Sequence, residues 1–259
     1  MSVLPRRNLD LLWLWVRREW RVRYAGSVLG RLWSALSPLL TIALYYVVFS
    51  SILRVRIPEI AVPGGFLYYL LSALVPWLFF TEAVSRAAGS VLAQERFLSR
   101  NPFPPEILPW AAVLASTPTL LVALSLVLAL VAVVFSPSWW WLLLPGLMVL
   151  HVAWAGTIGA VLSVVALHLR DTLQVLPNLL QFLFFASPVI YSRSILPPKY
   201  QWLVLLNPVS SMAEAYHFLI LGFPARWDWV LGLAGWSVVI LGGGAWFYLR
   251  LRATIADRY

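Results

Sequence analysis

Few side chains in this sequence could do acid–base, nucleophilic or nucleotide chemistry. His151, His168 and His217 are far apart, and neither GxSxG nor HExxH occurs, so no nucleophile–base pair or zinc-binding helix is indicated. The single lysine, Lys199, follows Pro197-Pro198 rather than the glycine of a Walker A loop, which cradles nucleotide phosphates. We therefore expect no catalytic residue, no metal ligand set and no ATP hydrolysis in this chain.

Proton-relay chemistry within a membrane needs buried carboxylates or histidines, and they are scarce here. The apolar runs contain Glu82, His151 and, at the end of one run, His168. We interpret His151 as a hydrogen-bonding residue between helices. Glu82 and Arg86 are one helical turn apart and are predicted to form a structural ion pair near the cytoplasmic leaflet, with a role in gating as the alternative.

The elements that position these residues are membrane helices, because 61% of the residues are hydrophobic, 11% are charged and there are fifteen tryptophans. No cysteine is present, which excludes disulfides, iron–sulfur clusters and thiolate zinc sites. The net charge of +9 comes from arginines beside apolar runs. It therefore indicates anionic membrane lipids as a partner rather than nucleic acid.

Six runs are long enough to cross about 30 Å of hydrocarbon. The chain has no Asp, Glu, Lys or Arg from 107 to 169, where only Ser136-Pro137-Ser138 interrupts two antiparallel spans. The predicted spans are residues 32–53, 66–92, the two parts of 107–169, 172–191 and 229–249. The sequence thus predicts an all-α membrane protein with six transmembrane helices.

The distribution of positive charge sets the predicted orientation. Fourteen of the nineteen Lys and Arg residues fall before the first span, in alternate loops together with Arg86 near the end of the second span, or at the C-terminus, and five fall on the opposite face. The positive-inside rule then places both termini in the cytoplasm.

The N-terminal residues 6–24 are predicted to form an amphipathic interface helix in the headgroup plane. The apolar stripe consists of Leu9, Leu12, Trp13, Val16 and Trp20. The charged face consists of Arg6, Arg7, Asp10, Arg17, Arg18 and Arg21.

Two loops are more than linkers in this interpretation. The loop 92–109 contains a short helical stretch with Phe97 between charges and a proline-rich exit, which suits docking into a groove of another protein; a solvated turn is the alternative. Residues 195–223 alternate proline breaks with short apolar runs, which predicts two short helices that dip into the membrane; a hairpin on the membrane surface is the alternative.

Several motifs together resemble a known family. RYAGSVLG at 23–30, followed by Leu32-Trp33 and Pro38-Leu39, resembles the entry motif of type-2 ABC transporter permeases that export polysaccharides, the Wzm and TagG group. The loop ERFLSRNPFPPEILP at 95–109 resembles that family's coupling helix. LRD at 169–171, SPVIY at 187–191, LP at 196–197 and LNP at 206–208 follow its order. Ala25 and Ser37 depart from the pattern, which has a basic residue and Asn there.

The resemblance implies a homodimer with two copies of a separate ABC ATPase, which binds ATP and Mg, so that this chain needs no cofactor. It implies a channel at the dimer interface for an undecaprenyl-diphosphate-linked glycan such as O-antigen or teichoic acid. It also implies external re-entrant helices between spans five and six as a gate, and a multi-pass location in the bacterial inner membrane. A permease for a drug or small lipid, and a membrane scaffold or enzyme, are the alternatives.

The predicted domains are an interfacial segment at 1–30, a transmembrane domain at 31–253 and a cytoplasmic tail at 254–259. Within them the coupling helix is placed at 93–105 and the gate helices at 195–223. The predicted coupling residues are Glu95, Arg96, Phe97, Leu98 and Arg100, and the headgroup residues are Arg17, Arg18, Arg21, Arg23 and Tyr24. Gly26 and Gly30 are predicted to pack helices, Arg170 and Asp171 to form a cytoplasmic loop, and Pro197, Pro198, Asn207 and Pro208 to shape the gate.

Overall fold

The computed structural model describes residues 6–23, 26, 30–55, 57–58, 60, 62, 64–100, 103–223 and 227–251. All regular secondary structure in these ranges is helical, so the predicted all-α class is confirmed there. The predicted tail at 254–259 and the headgroup residue Tyr24 lie outside them.

The described residues of the first half of the chain form five α-helices. They are α1 (Arg6–Val22), α2 (Trp33–Tyr46), α3 (Gly65–Ala93), α4 (Glu95–Leu98) and α5 (Ile107–Val134). A 3₁₀ turn at Gly30–Leu32 leads into α2, and a π-helical segment at Val47–Ile52 extends it. Helix α5 ends at the predicted Ser-Pro-Ser break, where the hydroxyl of Ser138 accepts from the backbone N–H of Trp140 at 3.4 Å.

Five more α-helices lie in the part of the second half that the structure describes. They are α6 (Leu144–His168), α7 (Thr172–Phe185), α8 (Pro208–Leu221), α9 (Trp227–Ser237) and α10 (Gly244–Leu251). A 3₁₀ turn at Trp139–Leu143 precedes α6, and a π-helical segment at Val238–Gly243 joins α9 to α10. Three short 3₁₀ turns at Arg193–Ile195, Pro198–Tyr200 and Leu203–Leu206 lie between α7 and α8.

Four helical stretches of the described residues are long and apolar enough to cross a membrane. They are Gly65–Ala93, Ile107–Val134, Trp139–His168 and Trp227–Leu251, and they coincide with predicted spans two, three, four and six. The regions of spans one and five contain shorter apolar helices, Leu39–Ile52 and Thr172–Phe185. Helix α7 ends six residues before the predicted limit at 191, since Ser187 and Pro188 turn the chain and the N–H of Val189 bonds to the carbonyl of Ser187 at 2.8 Å.

Helix α3 is the central helix of the bundle. In its most apolar stretch 72% of the residues are buried inside the protein. The corresponding share for the helical stretch Trp227–Leu251 is 6%. Small residues permit its close contact with α6, because a Cβ added at Gly159 would lie 2.3 Å from the Cβ of Ala87. Pro76 lies within α3 and removes one backbone hydrogen bond from its middle.

A smaller apolar cluster, here called the α1–α5 cluster, lies apart from the main core. Its buried members are Trp15, Val16, Val91, Leu98, Ile107, Leu108, Ala111, Ala115, Val164 and Leu167. Helix α1 therefore has two apolar faces, one of which packs on α4 and α5 through Trp15 and Val16. Leu9, Trp13 and Trp20 of the predicted stripe are exposed. The sequence stripe missed Trp15, which is 9% exposed.

Candidate functional site

Helix α4 is fixed to the rest of the chain by three aromatic rings. The ring of Phe97 lies 5.5 Å from Trp15 and 5.6 Å from Phe103, and Trp15 lies 5.2 Å from Phe103. These edge-on or tilted geometries are favourable for aromatic pairs. Leu98, on the same turn, is buried in the α1–α5 cluster. Phe97, which is half-buried, thus joins α4 to α1.

The charged residues of α4 and of the loop between α6 and α7 lie on the surface. A guanidinium nitrogen of Arg170 is 3.8 Å from a carboxylate oxygen of Glu95, and both side chains are substantially exposed. Such an exposed pair contributes about 0–1 kcal/mol. Arg96, Arg100 and Asp171 are also exposed. The structure therefore brings two predicted site residues together and leaves a charged surface around them.

Three arginines of α1 form a charged face beside two tryptophan rings, of which Trp13 is exposed and Trp15 is buried. Arg17, Arg18 and Arg21 are all exposed. The guanidinium of Arg17 is 5.4 Å from the ring centre of Trp13, and that of Arg18 is 4.3 Å from the ring of Trp15. This arrangement of cations beside apolar rings suits the boundary between lipid headgroups and acyl chains.

Arg23, the residue that follows α1, has a different environment from Arg17, Arg18 and Arg21. Its side chain is only 6% exposed and forms an ion pair with Glu82 of α3. Glu82 also accepts from Arg86 at 3.0 Å, as the helical spacing predicted. Arg23 could not be identified as a partner from sequence spacing, because 59 residues separate it from Glu82. One carboxylate thus holds the end of α1 to the central helix.

Gly26 and Gly30 turn the chain between α1 and α2. Their φ angles are +79° and +51°, which are incompatible with a continuous helix. A Cβ added at either position would meet no described atom within 4 Å. Within the described residues neither glycine makes a close helix contact, and their helix-packing role stays a prediction. Close helix approach is instead made at Gly156 and Gly159, where an added Cβ would meet Trp110 and Ala87.

The segment between α7 and α8 is organised around Asn207. Its side-chain oxygen accepts from the N–H of Val209 at 3.0 Å, and its amide nitrogen donates to the carbonyl of Leu183 in α7 at 2.7 Å. Pro208 occupies the first turn of α8, where no N–H is needed. The stretches Pro198–Leu206 and Pro208–Leu221 form an angle of 103° at this point. Asn207 therefore caps α8 and fixes the bend to α7.

Pro197 and Pro198 form the preceding corner. The carbonyl of Pro197 accepts from the N–H of Tyr200 at 2.9 Å, which closes the 3₁₀ turn. Nearby, Arg193 is buried and donates to Asp228 at 2.7 Å. This ion pair joins the segment to the start of α9.

A buried polar cluster that the sequence analysis did not identify joins α3, α8 and the turn after α7. The hydroxyl of Tyr69 lies 2.7 Å from the carbonyl of Pro188 and 2.8 Å from that of Tyr191. His217 stacks on Tyr69 with ring centres 3.9 Å apart. Its two ring nitrogens lie 2.8 Å from the hydroxyl of Ser72 and 3.1 Å from the Pro188 carbonyl. The one sequence signal for this cluster is that its polar residues lie within apolar runs, where they need hydrogen-bond partners.

Among the described residues, no group of three or more His, Cys, Asp or Glu side chains could hold a metal ion. The contacts above instead join helices to one another at both ends of the bundle. At one end α4 is held to α1 and α5, and at the other the turns between α7 and α8 are held to α3 and α9.

Comparison with known proteins gives consistent similarities. The sequence model of the family described as ABC-2 type transporter matches residues 10–221. The O-antigen export system permease protein RfbA of Klebsiella pneumoniae is 26% identical over 260 residues, 97% of this chain and 98% of that protein. RfbA of Myxococcus xanthus is 28% identical over 247 residues, 93% of this chain and 92% of that protein. The polysialic acid transport protein KpsM of Escherichia coli is 25% identical over 203 residues, 76% of each chain.

Proposed function

Because this chain belongs to the ABC-2 type transporter family, we propose that it is the membrane subunit of an ATP-driven exporter of a cell-surface polysaccharide. The observation that carries the proposal is the similarity to an O-antigen export permease over 97% of this chain and 98% of that protein. In this role the chain is a transport subunit in the inner membrane, and ATP hydrolysis belongs to a separate ATPase.

Helix α4 is the proposed contact with that ATPase. Phe97 and Leu98 anchor it inward, while Glu95, Arg96 and Arg100 remain at the surface for polar contacts. Since Phe97 also contacts Trp15, a displacement of α4 reaches α1 directly. Arg170 extends the surface through its ion pair with Glu95. We therefore propose that the charged residues of α4 bind the ATPase. Phe97 and Leu98 transmit the displacement of α4 to the rest of the chain.

The remaining parts of the proposal concern assembly and cargo. Two copies of this chain form the channel, each with six spans and both termini in the cytoplasm, and each copy pairs with one ATPase. The bent stretch from Pro198 to Leu221 is a re-entrant gate at the outer mouth, supported by the 103° bend at Asn207. The glycan is carried on undecaprenyl diphosphate, whose charge the exposed arginines of α1 complement.

Deletion of the encoding gene tests the function. We expect the long-chain surface polysaccharide to disappear from intact cells and to accumulate inside them, and a plasmid copy to restore it. Antibody binding to whole and to lysed cells measures the two pools. Normal surface polysaccharide in the deletion strain, together with a loss of drug or lipid efflux, would favour the alternative cargo instead.

A further inference from the structure

Helix α7 presents three carboxamide side chains on an otherwise apolar surface. Gln174, Asn178 and Gln181 are all exposed, whereas Leu176, Leu180 and Phe184 of the opposite face are buried. With 3.6 residues per turn, the three amides lie within about 60° of one another around the helix axis. We call this row the amide stripe.

The amide stripe has no partner in the described part of the chain, where none of its side chains makes a hydrogen bond. At 1.5 Å per residue, Asn178 lies about 9 Å and Gln181 about 14 Å along the axis from Thr172. An amide left unpaired in hydrocarbon costs roughly 2–7 kcal/mol. Three such groups facing lipid would be a large penalty, so this face requires water or a polar partner.

The exposed surface of α7 has a second, chemically different part. Val175, Leu179 and Phe182 lie next to the amide stripe and are exposed, and we call them the apolar stripe. Their side chains suit lipid or a close-packed helix. The exposed surface of α7 therefore suits two different environments, a hydrated one at the amide stripe and an apolar one at the apolar stripe.

We propose that the amide stripe lines the hydrated path of the exported glycan and forms hydrogen bonds with its hydroxyl groups; this inference rests on the proposed function. A carboxamide both donates and accepts, so it matches a sugar hydroxyl in either role. It carries no charge, so it does not bind a passing chain as tightly as an arginine or carboxylate does. Phe185 lies on the same side and is 49% exposed, which adds an apolar surface for sugar rings.

The natural sequence permits a direct test because it contains no cysteine. Gln174→Cys, Asn178→Cys and Gln181→Cys are made singly, with Val175→Cys and Leu179→Cys as controls at matching depth. Each variant is expressed with its ATPase and treated in membrane vesicles with a charged thiol reagent. We expect the amide-stripe cysteines to react at least about tenfold faster than the controls, and the adduct on Asn178→Cys to block export.

The outcomes separate the inference from the proposed function. Equal reactivity on both stripes, or disulfide linkage of two copies through position 178 with no reaction with the reagent, overturns the hydrated path. Export that continues with the position fully modified overturns the contact with glycan. Leu179→Cys, treated with the same reagent, should retain export, which shows that a loss in the amide-stripe variants is not an effect of the treatment itself. Failure of the unmodified chain to restore surface polysaccharide in the deletion strain would refute the proposed function, whatever the labelling result.

Discussion

Replacing Phe97 with alanine should release α4 from α1 without unfolding the bundle. Within the described residues the ring makes two aromatic contacts, at 5.5 Å with Trp15 and 5.6 Å with Phe103. Each such pair contributes about 0.5–1.5 kcal/mol beyond the burial of its area. Loss of both therefore costs about 1–3 kcal/mol, which is roughly a 5- to 150-fold change in the local opening equilibrium of α4.

Hydrogen exchange measures this opening directly. In α4 the N–H groups of Phe97 and Leu98 both bond to the carbonyl of Gln94 at 3.0 Å, so their exchange reports the helix itself. We expect exchange there to accelerate by the factor above in Phe97→Ala, and less in Phe97→Leu, which keeps an apolar side chain. The ratio of glycan exported to ATP hydrolysed should fall in parallel, because a loose α4 transmits less of the ATPase displacement.

A matched control is available on α1. Trp13 is 56% exposed, whereas Trp15 is 9% exposed and touches Phe97. Trp15→Ala should reproduce the Phe97→Ala result, the double variant should add little, and Trp13→Ala should leave exchange in α4 unchanged. Unchanged exchange in Phe97→Ala, or equal effects of the two tryptophan variants, would refute the anchoring role.

Three further predictions concern stability. Asn207→Ala should lower the free energy of unfolding by about 1–2 kcal/mol through loss of the α8 cap, and thermal unfolding in detergent with Asn207→Asp as control measures it. Glu82→Gln should cost about 3 kcal/mol because the buried Arg23 loses its ion pair with Glu82; equal melting temperatures would contradict this. Gly159→Val should prevent close packing on Ala87 and reduce the yield of folded protein, and a normal, monodisperse yield would count against that contact.

The long apolar helices were predictable from the sequence because hydrophobic run length and proline breaks are local signals. The turn at 136–138, the Glu82–Arg86 pair and the bend at Asn207 follow from neighbouring residues alone, and each is present. The end of α7 at Phe185 was harder to predict, because a continuous apolar run does not show where a turn replaces the helix.

Contacts between distant segments were not predictable in the same way. Arg23 and Glu82 are 59 residues apart, and Tyr69 and Pro188 are 119 apart, so no spacing rule connects them. Trp15 fell outside the assigned stripe because α1 packs on the protein with one apolar face and leaves another exposed. A hydrophobic stripe alone does not tell whether lipid or protein covers it.

Pro76 gives the central helix a mechanical property that its contacts alone do not. Tyr69 ties α3 to the turn after α7, and Glu82 ties it to the end of α1. These two attachments are 13 residues apart, or about 20 Å along the axis. Pro76 lies between them and lacks the N–H that would bond one turn back, so bending stiffness is lowest there. We therefore expect a displacement along the axis of α3 to pass from one attachment to the other. A tilt of one half of α3 should instead be accommodated by bending at Pro76.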